Sequence, residues 1–135
     1  MHYVADHFML ILFAQGVNES LTSAGVKQSN IFTTYVPGAF ELPVTAKFLA
    51  MSKRVDVIIC LGCLIKGDTM HFEYIAGATA NGIMQVSLES LVPCLFGVLT
   101  VLDKQQAIDR SFGPKNEGWL CILLLTYTRT PRTRH

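Results

Sequence analysis

The sequence predicts an α/β fold in which a parallel sheet carries helices on both faces. Two segments, Val55 to Leu61 and Pro93 to Thr100, are nearly continuous apolar runs, as expected of strands buried on both faces. Between them, apolar residues recur in steps of three and four and mark a long amphipathic helix. Strand-like and helix-like segments alternate with short connections, which favours parallel pairing through crossover helices.

Each element follows from its own residues. Phe8 to Ala24 reads as a helix that stops at Gly25. Ile31 to Val36 is rich in β-branched and aromatic residues and reads as a strand, which Pro37-Gly38 breaks. Pro43 suits the first turn of a helix that runs to Ser52. The Val55 to Leu61 strand leads into a loop from Gly62 to Met70. His71 to Leu91 is the long helix, with Phe72, Ile75, Ala76, Thr79, Ile83 and Val86 on its apolar stripe. Pro93 to Thr100 is the next strand and Lys104 to Arg110 a short helix. Gly113, Pro114 and Gly118 mark a loop, followed by an apolar run and a basic tail.

The chain of 135 residues suits one domain, 1–135, with no internal repeat or low-complexity linker. It is 50% hydrophobic and 16% charged, a globular composition that argues against disorder. A formal net charge of +1 gives no bias toward nucleic acid or acidic partners. Mean hydropathy is +0.38, high for a soluble monomer, and points to apolar surface covered in a homo-oligomer. The longest apolar runs, Phe8 to Ala14 and Trp119 to Leu125, fall well short of the roughly 20 residues of a membrane-spanning helix. Met1-His2-Tyr3 with Asp6 nearby lacks the basic start of a signal peptide, so the expected compartment is the cytoplasm. Of the four cysteines, three sit in apolar stretches, which fits reduced core thiols.

In such sheets ligands bind beyond the carboxyl ends of the strands. Three loops leave those ends: Val36 to Glu41, Gly62 to His71, and Leu99 to Asp103. The second, Gly62-Cys-Leu-Ile-Lys-Gly-Asp-Thr-Met-His71, joins a buried strand to the long helix. Free N–H groups at that helix start, with the helix dipole, favour an anion. Gly67 allows close backbone approach, Lys66 adds positive charge, and Thr69 offers a hydroxyl to an oxyanion or to the helix cap. His71 in the first turn can accept and donate a proton near neutral pH. The same residues also suit a capped helix with a surface histidine.

In Val36-Pro-Gly-Ala-Phe-Glu-Leu-Pro43, Phe40 could stack on a flat heterocycle while Glu41 or the backbone hydrogen-bonds its edge. A tight turn over a buried phenylalanine is the plainer reading of those residues alone. Arg110 could pair with a phosphate through its planar fork, or be a surface charge. Phe96 reads by default as core. Cys60-Leu-Gly-Cys63 has the spacing of a metal or redox pair, but no second pair sits at ligand spacing, so no metal is expected.

Together these segments closely resemble lumazine synthases, enzymes of the riboflavin pathway. The resemblance rests on Val36 to Pro43, on Gly62 to Tyr74 with its Ile-Lys-Gly-Asp-Thr-Met-His core, on Pro93-Cys-Leu-Phe-Gly-Val-Leu-Thr100, and on Gln106-Ala-Ile-Asp-Arg110. It spans about Gly16 to Arg110. It implies a three-layer α/β/α sandwich around a parallel, four-stranded, flavodoxin-like sheet. It also implies condensation of 5-amino-6-(D-ribitylamino)uracil with 3,4-dihydroxy-2-butanone 4-phosphate to 6,7-dimethyl-8-ribityllumazine, with no cofactor, in a pentamer or a pentamer-based shell. Ala39, Phe40 and Glu41 would hold the pyrimidine and ribityl chain, and Cys63, Leu64 and Ile65 would line the pyrimidine pocket, partly through backbone groups. Asp68 and Thr69, beside Lys66, would bind the phosphate, Asp68 through its backbone N–H. His71 would transfer protons. Phe96 and Arg110 would reach in from a neighbouring subunit, Arg110 onto the phosphate.

Both ends depart from the family pattern. The usual first strand ends in an aromatic residue, whose place falls near Ala5-Asp6, with four residues before it, too few for that strand, so the expected sheet could lack it. Glu117 stands where many members carry a lysine, and Trp119 to Tyr127 is leucine-rich where the closing helix is usually alanine-rich. A non-catalytic relative, a shell subunit or flavin binder, is the alternative reading.

Overall fold

A computed structural model describes residues 7–111 of the chain. Helix α1 (His7–Ser23) is followed by a short 3-10 turn at Gln28–Asn30 and a second at Ala39–Glu41. Helix α2 (Leu42–Met51), strand β1 (Ile58–Ile65), helix α3 (His71–Ser90), strand β2 (Cys94–Val101) and helix α4 (Lys104–Ser111) complete it.

The helix expected from Phe8 stops where glycine allows. Gly25 has φ +94°, its N–H donates to Thr22 O at 2.9 Å, and the Val26 N–H donates to Leu21 O at 3.0 Å. That pair of bonds is a Schellman motif, and Val26 closes it by packing with Leu21. Pro43 lies in the first turn of α2, where its missing N–H costs nothing. Asp103 caps α4: its Oδ1 accepts the Gln106 N–H at 2.8 Å, while Gln106 Oε1 accepts the Leu102 N–H at 3.0 Å.

Strands β1 and β2 pair in parallel, in register from Ile58 with Cys94 to Ile65 with Val101. Successive side chains alternate between the faces. Ile58, Cys60, Cys94 and Val98 pack with Ala46 and Ala50 of α2 and Ile83 and Val86 of α3. On the other face, Ile59, Leu61 and Leu95 meet Val17 and Leu21 of α1, while Cys63 and Val101 meet Ala107 of α4. Helices therefore cover both faces of a parallel sheet, as the apolar runs require.

The described residues supply two strands of the expected parallel sheet. Two expectations change. Ile31 to Val36, expected as a strand, is unpaired chain. Ile31 packs beside Val17 and Leu21, but Phe32 and Tyr35 are exposed. A β-rich hexapeptide is a strand only when a neighbour accepts its hydrogen bonds, and none does so among the described residues. Strand β1 also runs through Ile65, so Gly62 to Ile65 belong to the sheet rather than to the loop. The positions near Ala5-Asp6 and Glu117, Cys121, and the Trp119 to Tyr127 run lie outside the described residues. Among the described residues, no helix is long and apolar enough to cross a membrane.

Candidate active site

The carboxyl ends of β1 and β2 are tied together by the Lys66 N–H, which donates to Val101 O at 2.9 Å. The chain then turns through Gly67 to Met70 into α3. Met70 occupies the cap position without a side-chain acceptor, and the Thr69 hydroxyl accepts the His71 N–H at 3.4 Å. The next amides of α3, those of Phe72 and Glu73, have no side-chain cap and lie at the carboxyl end of the sheet. Such a helix start favours an anion. Asp68, Thr69 and His71 are all exposed there.

Lys66 is not the free cation that its place in the loop suggested. Its ammonium pairs with Glu73 Oε1 and lies 5.7 Å from the centre of the Phe72 ring. Glu73 is in the first turn of α3, where a carboxylate complements the helix dipole. Its other oxygen, Oε2, is buried and has no partner among the described residues.

The Ala39–Glu41 turn sits against α3 and the end of β1. The Glu41 carboxylate folds back over Gly38, where an added Cβ would lie 3.1 Å from Oε2. Gly62 leaves room on β1 for Leu42, whose Cδ1 would be 3.5 Å from a Cβ at that position. Two turns and more into α3, the Thr79 hydroxyl donates to Ala39 O at 3.2 Å, and Gly82 lets Pro43 approach so closely that an added Cβ would meet its ring at 2.8 Å. Phe40 itself is 58% exposed, so the plainer reading of it as a buried ring fails.

The β1 residues divide between the faces. Leu64 packs with the α2 and α3 layer, on the side of the Ala39 turn, but Cys63 and Ile65 join the α4 cluster. Only backbone groups of Cys63 and Ile65 can reach the same side as Phe40. Burial pushes the Cys63 thiol up to about 11 and the Cys60 thiol up to about 12, so neither is a nucleophile near neutral pH. Cys60 and Cys63 also point to opposite faces, because three residues along a strand reverse the side chain. They cannot share a metal or a disulfide. Among the described residues, no group of three or more His, Cys, Asp or Glu side chains could hold a metal ion.

Phe96 and Arg110 do not join this cluster within one chain. Phe96, 41% exposed, pairs in register with Cys60, five residues or about 16 Å down the strand from Ile65. Arg110 is exposed in the last turn of α4, about 9 Å along the helix from its start. Sequence reasoning missed Glu73 as the partner of Lys66 and Thr79 as an anchor. A threonine on the apolar stripe of a helix was the available signal for the second.

Comparison with known proteins bears on these loops. A family model described as 6,7-dimethyl-8-ribityllumazine synthase matches residues 6–125, beyond the Gly16 to Arg110 span on both sides. A protein of that name from Cytophaga hutchinsonii is 48% identical over 99 residues, 73% of this chain and 62% of that protein. Another from Clostridium kluyveri is 41% identical over 116 residues, 84% of this chain and 75% of the relative. The chain thus spans less than two thirds of the Cytophaga protein.

Proposed function

The chain belongs to the 6,7-dimethyl-8-ribityllumazine synthase family, and from that premise we propose that it catalyses the family's condensation in riboflavin biosynthesis. It joins 5-amino-6-(D-ribitylamino)uracil to 3,4-dihydroxy-2-butanone 4-phosphate and releases 6,7-dimethyl-8-ribityllumazine, phosphate and water. The observation that carries this reading is the seating of two different loops on one helix. The start of α3 offers uncapped amides to a phosphate, and its third turn anchors the turn that presents Phe40 and Glu41.

In this reading the Phe40 ring stacks on the pyrimidine, with Ala39, Glu41, Leu64 and the backbone of Cys63 and Ile65 around it. Asp68, through its N–H, and Thr69 take the phosphate at the helix dipole, with Lys66 beside them. The pyrimidine amine attacks the ketone, water leaves as a Schiff base forms, phosphate departs by elimination, and the ribityl-bearing nitrogen closes the ring on the remaining carbonyl with loss of a second water. His71, exposed at the same helix start, relays the protons these steps release and consume. Holding two substrates in one orientation supplies much of the remaining acceleration.

The remoteness of Phe96 and Arg110 supports a site completed by a second copy of the chain, with Arg110 of one subunit reaching the phosphate of the next. A homo-oligomer also accounts for the outer face of α3. Tyr74, Met84 and Leu88 are exposed, and with Gly77 and Asn81 they follow a strict alternation of three and four residues, while exposed Met70 and Leu91 flank the helix at its two caps. That seven-residue pattern is what a helix presents to other helices. A pentamer, alone or within a shell, in the cytoplasm, is the assembly this reading favours, with residues 1–135 as one domain. The test is direct: incubate the purified chain with both substrates and follow the fluorescent lumazine. Turnover above the uncatalysed rate is expected, and none, with ligand binding intact, would sink the reading.

A further inference from the structure

Helix α3 carries both halves of the proposed site. Its first residue is His71, beside the phosphate loop, and its Thr79, eight residues or about 12 Å along the axis, holds the Ala39–Glu41 turn. A helix is stiff over that length, so whatever fixes the turn to Thr79 also fixes the pyrimidine's place relative to the phosphate.

Thr79 is fully buried, at 0% exposure, on a stripe whose other buried members are the apolar Ile83 and Val86. A hydroxyl in such a place is stabilising only when it has a partner. Its partner is the Ala39 carbonyl, 40 residues away in sequence and the first group of the turn that bears Phe40 and Glu41. The nearby approach of Gly82 to Pro43 holds α2 against α3 but does not bond the turn itself. The turn's remaining backbone bonds are local: the Glu41 N–H donates to Gly38 O at 3.3 Å, and the Leu42 N–H donates to Ala39 O.

We propose that Thr79 is a positioning residue that sets the pyrimidine loop against the phosphate and proton-transfer end of α3. The proposal rests on the synthase reading above and deepens it. Thr79 touches neither substrate; it acts through the Ala39 carbonyl on the orientation of Phe40 and Glu41.

Thr79→Val is the discriminating variant, because it keeps shape and burial and removes only the donor. Ala39 O keeps its bond from Leu42, so no buried carbonyl is stranded and the chain folds. Steady-state rates are measured with each substrate varied in turn. The KM for the ribitylaminouracil should rise about three- to tenfold, as loss of one neutral hydrogen bond allows, while the KM for the butanone phosphate stays within about twofold. Thr79→Ser, which keeps the hydroxyl, should restore the wild-type value. Hydrogen exchange at the Glu41 amide should quicken in the valine variant and not in the serine one. A general loosening of the fold would instead raise both KM values and would leave the serine variant no better. An active wild-type chain whose Thr79→Val variant matches it in kcat, both KM values and exchange overturns the inference alone. A wild-type chain without turnover overturns the synthase reading and the inference together.

Discussion

Gly82→Ala should destabilise the protein although alanine is the better helix former. An alanine Cβ at 82 would lie 2.8 Å from both Cβ and Cγ of Pro43, about 0.6 Å short of the 3.4 Å where ordinary contact begins. Pro43 cannot yield alone. Its ring fixes φ, it sits in the first turn of α2, and Ala46 and Ala50 of that helix are buried against the same core. Helices α2 and α3 must therefore part along their contact, at an overpacking cost of about 1–3 kcal/mol. Against this stands a helix-propensity gain of about 1 kcal/mol for replacing glycine. Gly16, in the interior of α1, has nothing within 4 Å of its added Cβ, so Gly16→Ala should show the gain alone. Urea unfolding of both variants at one protein concentration measures the difference. Gly16→Ala should be the more stable by about 1–3 kcal/mol. Equal stabilities would refute the close contact and the rigid seat it gives the Ala39–Glu41 turn.

Other variants probe the chemistry. His71→Ala should slow lumazine formation by about a hundredfold or more while substrate dissociation constants change little; an unchanged rate would remove the proton-relay role. Glu73→Gln frees the Lys66 ammonium and should lower the KM for the butanone phosphate by about threefold, whereas a raised KM would mean that the ion pair itself holds the loop. The Cys60 thiol stays protonated in the fold up to about pH 12 but ionises near 9.0 when unfolded. Its contribution to stability is therefore complete below pH 9 and is lost as pH rises from there toward 12. Wild-type stability should fall more steeply than that of Cys60→Ala across this alkaline range, and parallel pH curves would contradict a buried neutral thiol.

The sequence made the sheet legible because β1 and β2 are covered on both faces, so that each is a short apolar run between breaks, which suits a buried strand better than a helix. Local chemistry also marked the ends of α1 and α2, through Gly25 and Pro43. Ile31 to Val36 misled for the converse reason: its composition suits a strand, but pairing is a property of neighbours, and the described residues supply none. Cys60 and Cys63 have the spacing of a pair, a role the lack of further ligands already disfavoured, and the strand places them on opposite faces. The loops of the site were visible as motifs, yet their electrostatics were not. Lys66 and Glu73 are seven residues apart across a strand end, a loop and a helix start, and only the fold brings them together. Thr79 and Ala39 are a still longer-range pair, and no spacing rule relates them.

The shared site is the central claim, and subunit complementation tests it most directly. His71→Ala and Arg110→Ala chains are each purified, then unfolded together and reassembled, with lumazine formation compared against wild type. If His71 of one subunit works with Arg110 of its neighbour, random mixing rebuilds intact pairs at about one quarter of the sites, and activity should return to that fraction of wild type. A mixture no more active than the average of its two parents would contradict the shared site.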